Sequence, residues 1–455
     1  MTEKFEKWLK DNAITEVECL VPDLGGIARG KILPTNKFIR GLKNDSHRLP
    51  QSIFIQTISG GYATEGDEEL PNEVYNPTDI DVILRSDFNT IRVVPWYEDP
   101  TAQVICDAVS LNGSPITNSS RYVLKNILKM YDDRGLIPIV SPEVEFYLVK
   151  PNSDADYPLE VPIGQSGRQE TGKQAFGIDA VNEFDPLFED LYNYCEAQNI
   201  EIDTMNHESG SAQMEINFQH GNPLELADQI FLFKRTLRQS ALRHKLYATF
   251  MAKPMENQPG SSLHLHQSLY DKKTNKNVFY HKKNTISKTM NYYLGGLQEY
   301  TPKLMTIHAP NVNSYRRLFA TWDAPRNTKW GIGNRSCGFR IPSIEEKSMR
   351  VENRISGSDT NPYLVFAANL AAGYLGMEKK IKATEETKKS TFDDKKSSLP
   401  KNIDEAISLF EKDDDLRKIF GQKFIKTISA IRKVEYQAYL KVISSWEREY
   451  LLLNV

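Results

Sequence analysis

Four segments of the chain alternate polar and apolar positions, as strands with one polar face do. In residues 143–146 (Glu-Val-Glu-Phe) the two glutamates share a face, because successive strand side chains point to opposite sides of a sheet. His264, His266 and Ser268 alternate with leucines in the same way, and residues 213–218 and 351–355 repeat the pattern. Any one of these could be an ordinary half-solvated strand. Together they predict a sheet face of acids and imidazoles. Burying such a face destabilises the fold unless bound cations neutralise its charge.

Read along the whole chain, these patterns predict an α+β protein of two units. The first, residues 1–110, is a small unit with a leading helix and many turn residues. Its strands are predicted at 16–21, 82–84, 90–94 and 102–107. A turn-rich joint at 112–115 opens the second unit, residues 111–455.

In the second unit, helices separate the polar-faced strands. They are predicted at 121–134, 184–198, 223–246, 285–301 and 361–379. Residues 379–401, rich in Lys, Ser and Asp, are predicted to be an exposed flexible loop, and a helical tail follows from Ile403. The apolar stretch 362–377 is too short for a membrane span and predicts a buried helix.

Composition narrows the class of protein. Apolar residues make up 40% and charged residues 26%, as in soluble globular proteins, and the net charge of −3 gives no footprint for nucleic acid or an anionic membrane. The first twenty residues are charged and carry no apolar signal core. The four cysteines are scattered without disulfide or zinc spacing. These features predict a reduced, cytoplasmic protein with no nucleic-acid or membrane partner.

The polar faces carry a mostly hard, oxygen-rich set of candidate metal ligands. They are Glu143, Glu145, Glu208, Glu215, His264 and Glu352. Such donors favour Mg²⁺ or Mn²⁺ over zinc, and five carboxylates suffice for two or three ions. A cationic set accompanies them: Arg317, Arg335, Arg340, Lys347, Arg350 and Arg354. Divalent metals facing guanidinium groups are what phosphoryl transfer needs, so the sequence predicts that chemistry without a phosphate loop.

Six motifs follow one another over nearly the whole length of the chain. They are Ser-Pro-Glu-Val-Glu-Phe at 141–146, Asn-His-Glu at 206–208 with Gln-Met-Glu at 213–215, Lys-Pro at 253–254 with 260–269, Asn-Ser-Tyr-Arg-Arg-Leu at 313–318, 334–342, and Glu-Asn-Arg at 352–354 with Asn-Pro-Tyr at 361–363. In this order they make the chain similar to the glutamine synthetase family. The resemblance implies the fold of that family. A small N-terminal β-grasp-like domain, 1–110, would precede a large catalytic domain, 111–455, built on a curved antiparallel sheet.

The resemblance also implies a role for each matching residue. Glu145, Glu208 and Glu215 would bind the metal that holds glutamate and the acyl phosphate. Glu143, His264 and Glu352 would bind the metal on the nucleotide phosphates. ATP contacts would come from Asp203, Phe218, His266, Ser268, Arg335, Arg340, Lys347 and Arg350. Glutamate would be bound by Gly260, Arg317, Arg335 and Arg354, and the catalytic residues would be Asp323, Arg317 and Arg335.

The implied reaction has two steps. The side-chain carboxylate of L-glutamate attacks the γ-phosphate of ATP, giving γ-glutamyl phosphate, and an amine then displaces phosphate to form a γ-glutamyl amide. Mg²⁺ or Mn²⁺, two or three per site, would serve this ATP-dependent carboxylate–amine ligase. The resemblance also implies a homo-oligomer, a dodecamer of two hexameric rings with active sites between subunits.

Three departures from the ammonia-using members concern the second substrate. Residues 48–54 contain no acid where those members carry an ammonium-binding aspartate. Asp323 stands where those members have a catalytic glutamate on the flap over the active site. Pro259 replaces the asparagine that precedes the glycine of their glutamate-binding loop. Residues 56–60 and 76–81 are similar to the γ-glutamyl-polyamine (glutamate–putrescine) ligases, enzymes of polyamine and nitrogen metabolism. An organic primary amine such as putrescine is therefore favoured over ammonia. A true glutamine synthetase and a catalytically inactive structural or regulatory relative are the alternatives.

Overall fold

The computed structural model describes residues 2–66, 69–282, 285–320, 324–392, 394 and 397–455. Within these residues the chain forms helices at α1 (Thr2–Asp11), α2 (Thr35–Asn44), α3 (Ser120–Asp132), α4 (Ile178–Asn182), α5 (Asp185–Ala197), α6 (Pro223–Arg243), α7 (Lys288–Tyr300), α8 (Met305–His308), α9 (Val312–Ala320), α10 (Pro362–Lys379), α11 (Ile403–Lys412), α12 (Asp414–Phe420), α13 (Gln422–Leu440) and α14 (Ser445–Leu451). Short 3₁₀ helices lie at Gln51–Ile55, Ala63–Glu65, Phe88–Thr90 and Thr301–Leu304.

The strands are β1 (Glu16–Pro22), β2 (Ala28–Pro34), β3 (Arg48–Pro50), β4 (Asp81–Ser86), β5 (Arg92–Val93), β6 (Thr101–Val109), β7 (Leu136–Val149), β8 (Ile202–His207), β9 (Gln213–Phe218), β10 (Tyr247–Thr249), β11 (Leu263–Asp271), β12 (Tyr280–His281), β13 (Thr285–Ile286), β14 (Trp330–Ile332), β15 (Phe339–Ile341) and β16 (Val351–Asn353). They form two main sheets, and β12 and β13 pair with each other.

The first sheet has the order β2-β1-β6-β4-β3, with β5 also on β6. Strand β1 runs parallel to β6, and the other pairs are antiparallel. Helices α1 and α2 supply Phe5, Leu9 and Phe38 to the core of this sheet. The result is a small mixed sheet covered by helices, as the pattern in the first 110 residues predicts.

The second sheet has the order β14-β15-β16-β11-β7-β9-β8, with β10 pairing to the far end of β7. Its pairs are antiparallel except β14 with β15. The long strand β7 pairs with β11 through residues 136–144 and with β9 through residues 143–147. The polar-faced strands predicted from the sequence thus become direct neighbours in one sheet.

Helix α10 packs under this second sheet and is buried on nearly every side, as its unbroken apolar sequence predicts. Asn361 caps it by accepting the backbone N–H groups of Tyr363 and Leu364. A Cβ atom on Gly296 of α7 would lie 2.1 Å from the carbonyl oxygen of Ala372, so glycine lets the two helices approach closely. Among the described residues, no helix combines the length and apolarity needed to cross a lipid bilayer.

Three element predictions need correction. Residues 88–90 form a 3₁₀ turn, because Asp87 caps it through the N–H of Asn89, and only Arg92–Val93 pair as a strand. Thr285–Ile286 pair with β12, and the helix begins after the cap Ser287. Residues 379–401 are not exposed throughout, since Thr391 and Leu399 are buried. Backbone groups of this segment form hydrogen bonds with polar side chains elsewhere in the second unit, and composition alone does not reveal these contacts.

Candidate active site

Strand register brings the predicted metal ligands together on one sheet face. Glu143 lies opposite His264, and Glu145 lies opposite Glu215 on the other side of β7. One strand further along, His266 lies opposite Glu352. The alternate residues Val144 and Phe146 are fully buried on the apolar face, so the predicted division into a polar and an apolar face is confirmed.

Several of these side chains come within range of one metal ion. Ligand atoms of Glu143, Glu215 and His264 lie within 4.8 Å of one another, and those of Glu143, His266 and Glu352 do so as well. Glu143 is shared by the two groups, because its two oxygens contact His264 Nδ1 at 3.1 Å and His266 Nε2 at 2.8 Å. The structure thus gives two overlapping groups of candidate ligands, and their membership differs from the two predicted sets because Glu215 joins Glu143 and His264.

The carboxylates of this face are too crowded to be ionised together. Burial, and then the neighbouring charges of Glu143, Glu145 and Glu208, raise the pKa of Glu215 to about 10. Burial also raises the pKa of Glu208. Burial acts in the same direction on Glu143, but the two histidines outweigh it and hold its pKa well below the usual range. The metal-free face thus keeps protons on some of its acids.

Glu352 is held by two arginines. It accepts hydrogen bonds from Arg340 Nη1 at 2.9 Å and from Arg354 Nη1 at 2.5 Å. Burial would raise its pKa, but Arg354 and the histidines outweigh that effect and lower the pKa to about 2. The Nε atoms of both arginines are buried and have no hydrogen-bond partner among the residues that the structure describes. Each could donate to an oxyanion bound at this face.

His266 is placed as a hydrogen-bond donor. Arg350 Nε donates to its Nδ1 at 3.2 Å, and because a guanidinium cannot accept, that ring nitrogen carries no proton. The proton is then on Nε2, which donates to Glu143. This arrangement agrees with the predicted role of His266 at the nucleotide better than with a role as a metal ligand.

A cavity of about 520 Å³ opens beside this face. Five of the eight residues predicted to contact ATP line it, namely Asp203, His266, Ser268, Lys347 and Arg350, together with Asn217, His220 and Tyr270. Phe218 does not line it. Its side chain lies in the core against Phe233, and only its carbonyl reaches Ser141 at the cavity edge.

The residues predicted to bind glutamate are partly brought together. A Cβ on Gly260 would lie 2.5 Å from Arg317 Cγ, so only glycine lets this loop pass the arginine. Arg317 is buried and donates to the carbonyl of Ile355 and to Ser262 Oγ. It therefore also holds the loop that leads from Arg354.

Two predicted residues stand apart from this cluster. Arg335 is exposed and faces Lys388 and Phe392 across a shallow cavity at the edge of the sheet. Its loop is fixed from outside, because Asn334 Nδ2 donates to the carbonyls of Thr387 and Lys389. Asp323 falls outside the described residues.

Sequence reasoning missed the residues that support the ligands. Gln213 Nε2 donates to Glu145 at 3.2 Å, and the backbone N–H of Ser262 donates to the same oxygen at 2.7 Å. Glu170 contacts His207 Nε2 at 3.0 Å and so anchors the turn that carries Glu208. Gln213 could have been found, because it lies two positions before Glu215 on the same strand face.

Comparison with known proteins identifies the family. The family model "Glutamine synthetase, catalytic domain" matches residues 117–451. The chain belongs to the glutamine synthetase family. It is 31% identical over 459 residues to γ-glutamylputrescine synthetase PuuA of Escherichia coli (strain K12), covering 100% of this chain and 95% of the relative. It is 28% identical over 453 residues to the glutamate–isopropylamine ligase of a Pseudomonas species, covering 98% and 96%. Glutamine synthetases of methanogens match at 30–31% identity.

Solved structures of the glutamine synthetase family confirm the fold predicted from the sequence. The complex of GmaS with ADP superposes with a TM-score of 0.81 at 25% identity, covering 98% of this chain and 99% of that one. The α+β class and the family fold with its curved sheet are therefore established. As a member of this family the protein is an ATP-dependent carboxylate–amine ligase, as the sequence predicts.

The donor set of this glutamine synthetase relative fits divalent ions that prefer oxygen. The metal-free acids repel one another, and Glu215 and Glu208 are driven toward their protonated forms. An ion bound at this face must therefore displace protons.

We expect metal binding to release protons and to tighten with rising pH. Glu215 has a pKa of about 10, so at pH 8 it is protonated and must lose its proton to bind a cation. Below pH 10 the apparent affinity should rise up to about tenfold per pH unit. Calorimetric titration with Mn²⁺ in buffers of different ionisation enthalpy measures the proton count. Glu215→Gln should abolish part of the release, and an equal release from both proteins would contradict the assignment.

Proposed function

We propose that the protein joins the γ-carboxylate of L-glutamate to a primary amine through γ-glutamyl phosphate, giving ADP and phosphate. The carrying observation is a sheet face of acids, two histidines and two arginines that adjoins the 520 Å³ cavity. In the described part of the chain, the Nε atoms of these arginines have no partner. The names of the relatives support the same reaction class, since PuuA is a γ-glutamylputrescine synthetase. Putrescine or a related amine is the favoured acceptor.

Glu145, Glu208 and Glu215 would hold one divalent ion, and Glu143, His264 and Glu352 a second. Bound Mg²⁺ or Mn²⁺, with a third ion where ATP brings one, would neutralise phosphate charge during transfer. Arg340 and Arg354 would donate from Nε to substrate oxyanions while Nη1 keeps Glu352 in place. His266, fixed by Arg350, would donate from Nε2 when Glu143 turns to the ion.

Steps at the substrates follow from these contacts. A glutamate side-chain oxygen attacks the γ-phosphorus, ADP leaves, and the amine then attacks the acyl carbon and expels phosphate. The amine must lose a proton in the second step. Gly260, Arg317, Arg335 and Arg354 are proposed to orient glutamate, and Asp323 to act beside the amine.

The preference for an organic amine comes from the proposed amine-pocket segment, residues 48–54. Ser52, Ile53 and Phe54 are buried in the core of the first sheet. Ser52 is fixed by Asp79, which accepts from its N–H at 2.8 Å and from its Oγ at 2.9 Å. This segment therefore offers no free carboxylate of its own to an ammonium ion.

An amine panel tests the proposal. With ATP, glutamate and Mg²⁺, we expect phosphate release with putrescine or another primary amine to exceed that with ammonium at least tenfold in kcat/KM. Glu215→Ala supplies the background rate. Faster release with ammonium than with any organic amine would make the protein a true glutamine synthetase. Undetectable turnover across the panel, with Mn²⁺ still binding, would favour the inactive relative.

We also propose a dodecamer of two hexameric rings in which residues 1–110 of one subunit complete the site on residues 111–455 of the next. The C-terminal tail supplies a surface for such contacts. Its exposed apolar residues are Leu440, Val442, Ile443, Trp446, Tyr450, Leu451, Leu452, Leu453 and Val455. Apolar side chains concentrated on one exposed terminal segment are typical of an interface.

Removing residues 442–455 is expected to break the assembly and to lower activity more than tenfold, because isolated subunits would lack part of each site. Light scattering coupled to size exclusion gives the mass, and the amine assay gives the activity. Glu449→Gln, on the same helix but polar, should leave both unchanged. A fully active monomer would refute the shared site.

A further inference from the structure

A second large cavity lies away from the metal-ligand face. Its volume is about 670 Å³, and none of its lining residues lines the nucleotide cavity. It is lined mainly by the turn at residues 25–27 with the start of β2, by helix α6, by residues 248–251, and by the loops at 311–313 and 359–360. The proposed reaction assigns no role to it.

The cavity carries more positive than negative charge, because three cationic side chains and one carboxylate line it. Arg235 is paired with Glu18, which leaves Lys234 and Arg238, and both lie over the same aromatic ring, 5.1 and 5.2 Å from the centroid of Phe250. Within the described part of the chain, Arg238 has no ion pair or hydrogen bond of its own. Two neighbouring cations repel each other and are stabilised by an anion between them.

Lys234 has a donor to spare. Its ammonium carries three N–H groups, and two of them donate to the carbonyls of Ser358 and Thr360 at 2.6 and 2.9 Å. Burial, and then the charge of Arg238, lower its pKa to about 7, while Asp359 acts in the opposite direction. An anion in the cavity would favour the charged form of this lysine.

We propose that this cavity binds a small anion, a carboxylate or a phosphate, through Arg238 and the remaining N–H of Lys234. Arg238 lies exposed at the mouth and can reach an entering ligand. Phe250 offers an apolar surface beside the charge, so an anion with a short hydrocarbon part fits as well as an inorganic one. The site shares no side chain with the proposed reaction, so an anion bound there could affect the reaction only through the residues that connect the two sites.

One chain of hydrogen bonds connects this cavity to the metal ligands. Lys234 holds the carbonyl of Ser358, and Ser358 Oγ donates to the backbone carbonyl of Glu145 at 2.5 Å. A bound anion that shifts Lys234 therefore acts on the strand that carries Glu143 and Glu145. We infer that anion binding changes the affinity for divalent metal.

Calorimetric titration of the full-length, metal-free protein with succinate and, separately, with inorganic phosphate tests the binding. Arg238→Met should weaken binding of at least one of them by fivefold or more, and the anion affected identifies the natural class. Lys288→Met removes an exposed charge elsewhere and should leave binding unchanged. Wild type and both variants keep Arg354, so an anion that binds there contributes equally to all three titrations. The test therefore rests on the difference in anion affinity between Arg238→Met and the other two proteins. Equal binding by wild type and Arg238→Met, or no binding by wild type, would overturn the site.

The coupling has its own readout. Mn²⁺ binding, followed by electron paramagnetic resonance, should change at least twofold in apparent Kd when the effective anion is added to wild type. The same addition to Arg238→Met measures how far the anion itself complexes Mn²⁺. Beyond that effect, the apparent Kd of Arg238→Met should not change. The coupling would be refuted if the anion changed the apparent Kd for Mn²⁺ equally in wild type and in Arg238→Met. Because neither experiment uses turnover, the result is independent of whether the proposed ligase reaction is correct.

Discussion

Glu215→Ala, and equally Glu145→Ala, is expected to reduce ligase turnover by about a thousandfold or more at saturating Mg²⁺. Each change removes one carboxylate ligand. Glu145 and Glu215 face each other in the strand pair, so the remaining glutamate loses the partner with which it would bind the ion. Loss of such a ligand removes charge stabilisation from phosphoryl transfer and amounts to about 4 kcal/mol or more in the barrier. Phosphate release with glutamate and the best amine measures it.

The matched control for this pair is Glu196→Ala, an exposed acid on α5 outside the site. It should retain full activity. Thermal unfolding should show that Glu215→Ala remains folded, since Glu215 is protonated in the metal-free protein and its removal leaves no buried charge unpaired. Near-normal turnover by a folded Glu145→Ala or Glu215→Ala protein would remove these residues from the metal site.

Arg354→Lys is expected to raise the apparent KM for glutamate between about tenfold and a hundredfold, with a smaller effect on the KM for ATP. Lysine keeps the charge but loses the planar fork, so one nitrogen has to replace both Nη1, which holds Glu352, and Nε, which would face the substrate. The change corresponds to about 1.4–2.7 kcal/mol of lost binding. Initial rates against glutamate, at saturating ATP and amine, measure it.

The control is Arg316→Lys, an exposed neighbour of Arg317 that bonds Tyr439. Its kinetic constants should be those of the wild type. An unchanged KM for glutamate in Arg354→Lys would place this arginine outside the substrate site. A large rise in the Mg²⁺ requirement instead would mean that its main role is to hold Glu352.

The sequence alone predicts the sheet face well, because strand periodicity is a local property. Glu143 and Glu145 are two positions apart in β7, so they share one side of the strand whatever the conformation of the rest of the chain. What periodicity cannot supply is the pairing between distant strands. The contacts of Glu143 with His264 and of Glu352 with Arg340 join segments far apart in the chain, and the family motifs, not the spacing, predicted that they meet.

The remaining errors have physical causes. Phe218 lies at a position where the alternation puts its side chain on the buried face, and the family match alone placed it at the nucleotide. Residues 379–401 look solvent-exposed by composition, yet Thr391 Oγ1 donates to the carbonyl of Ser336 at 2.6 Å. A threonine buried by a partner 55 positions away leaves no signal in its own neighbourhood.

The pairing of β7 with β11 also limits how this protein can diverge. Inserting one residue into either strand beyond the middle would turn every later side chain to the opposite face, placing glutamates in the core and valines beside the substrate. Insertions and deletions are therefore excluded from these strands, while an exposed loop outside the site, such as residues 153–157, is free to change in length. Laboratory libraries that vary the length of this loop should accordingly leave catalysis intact, whereas libraries that vary the length of β7 or β11 should lose it.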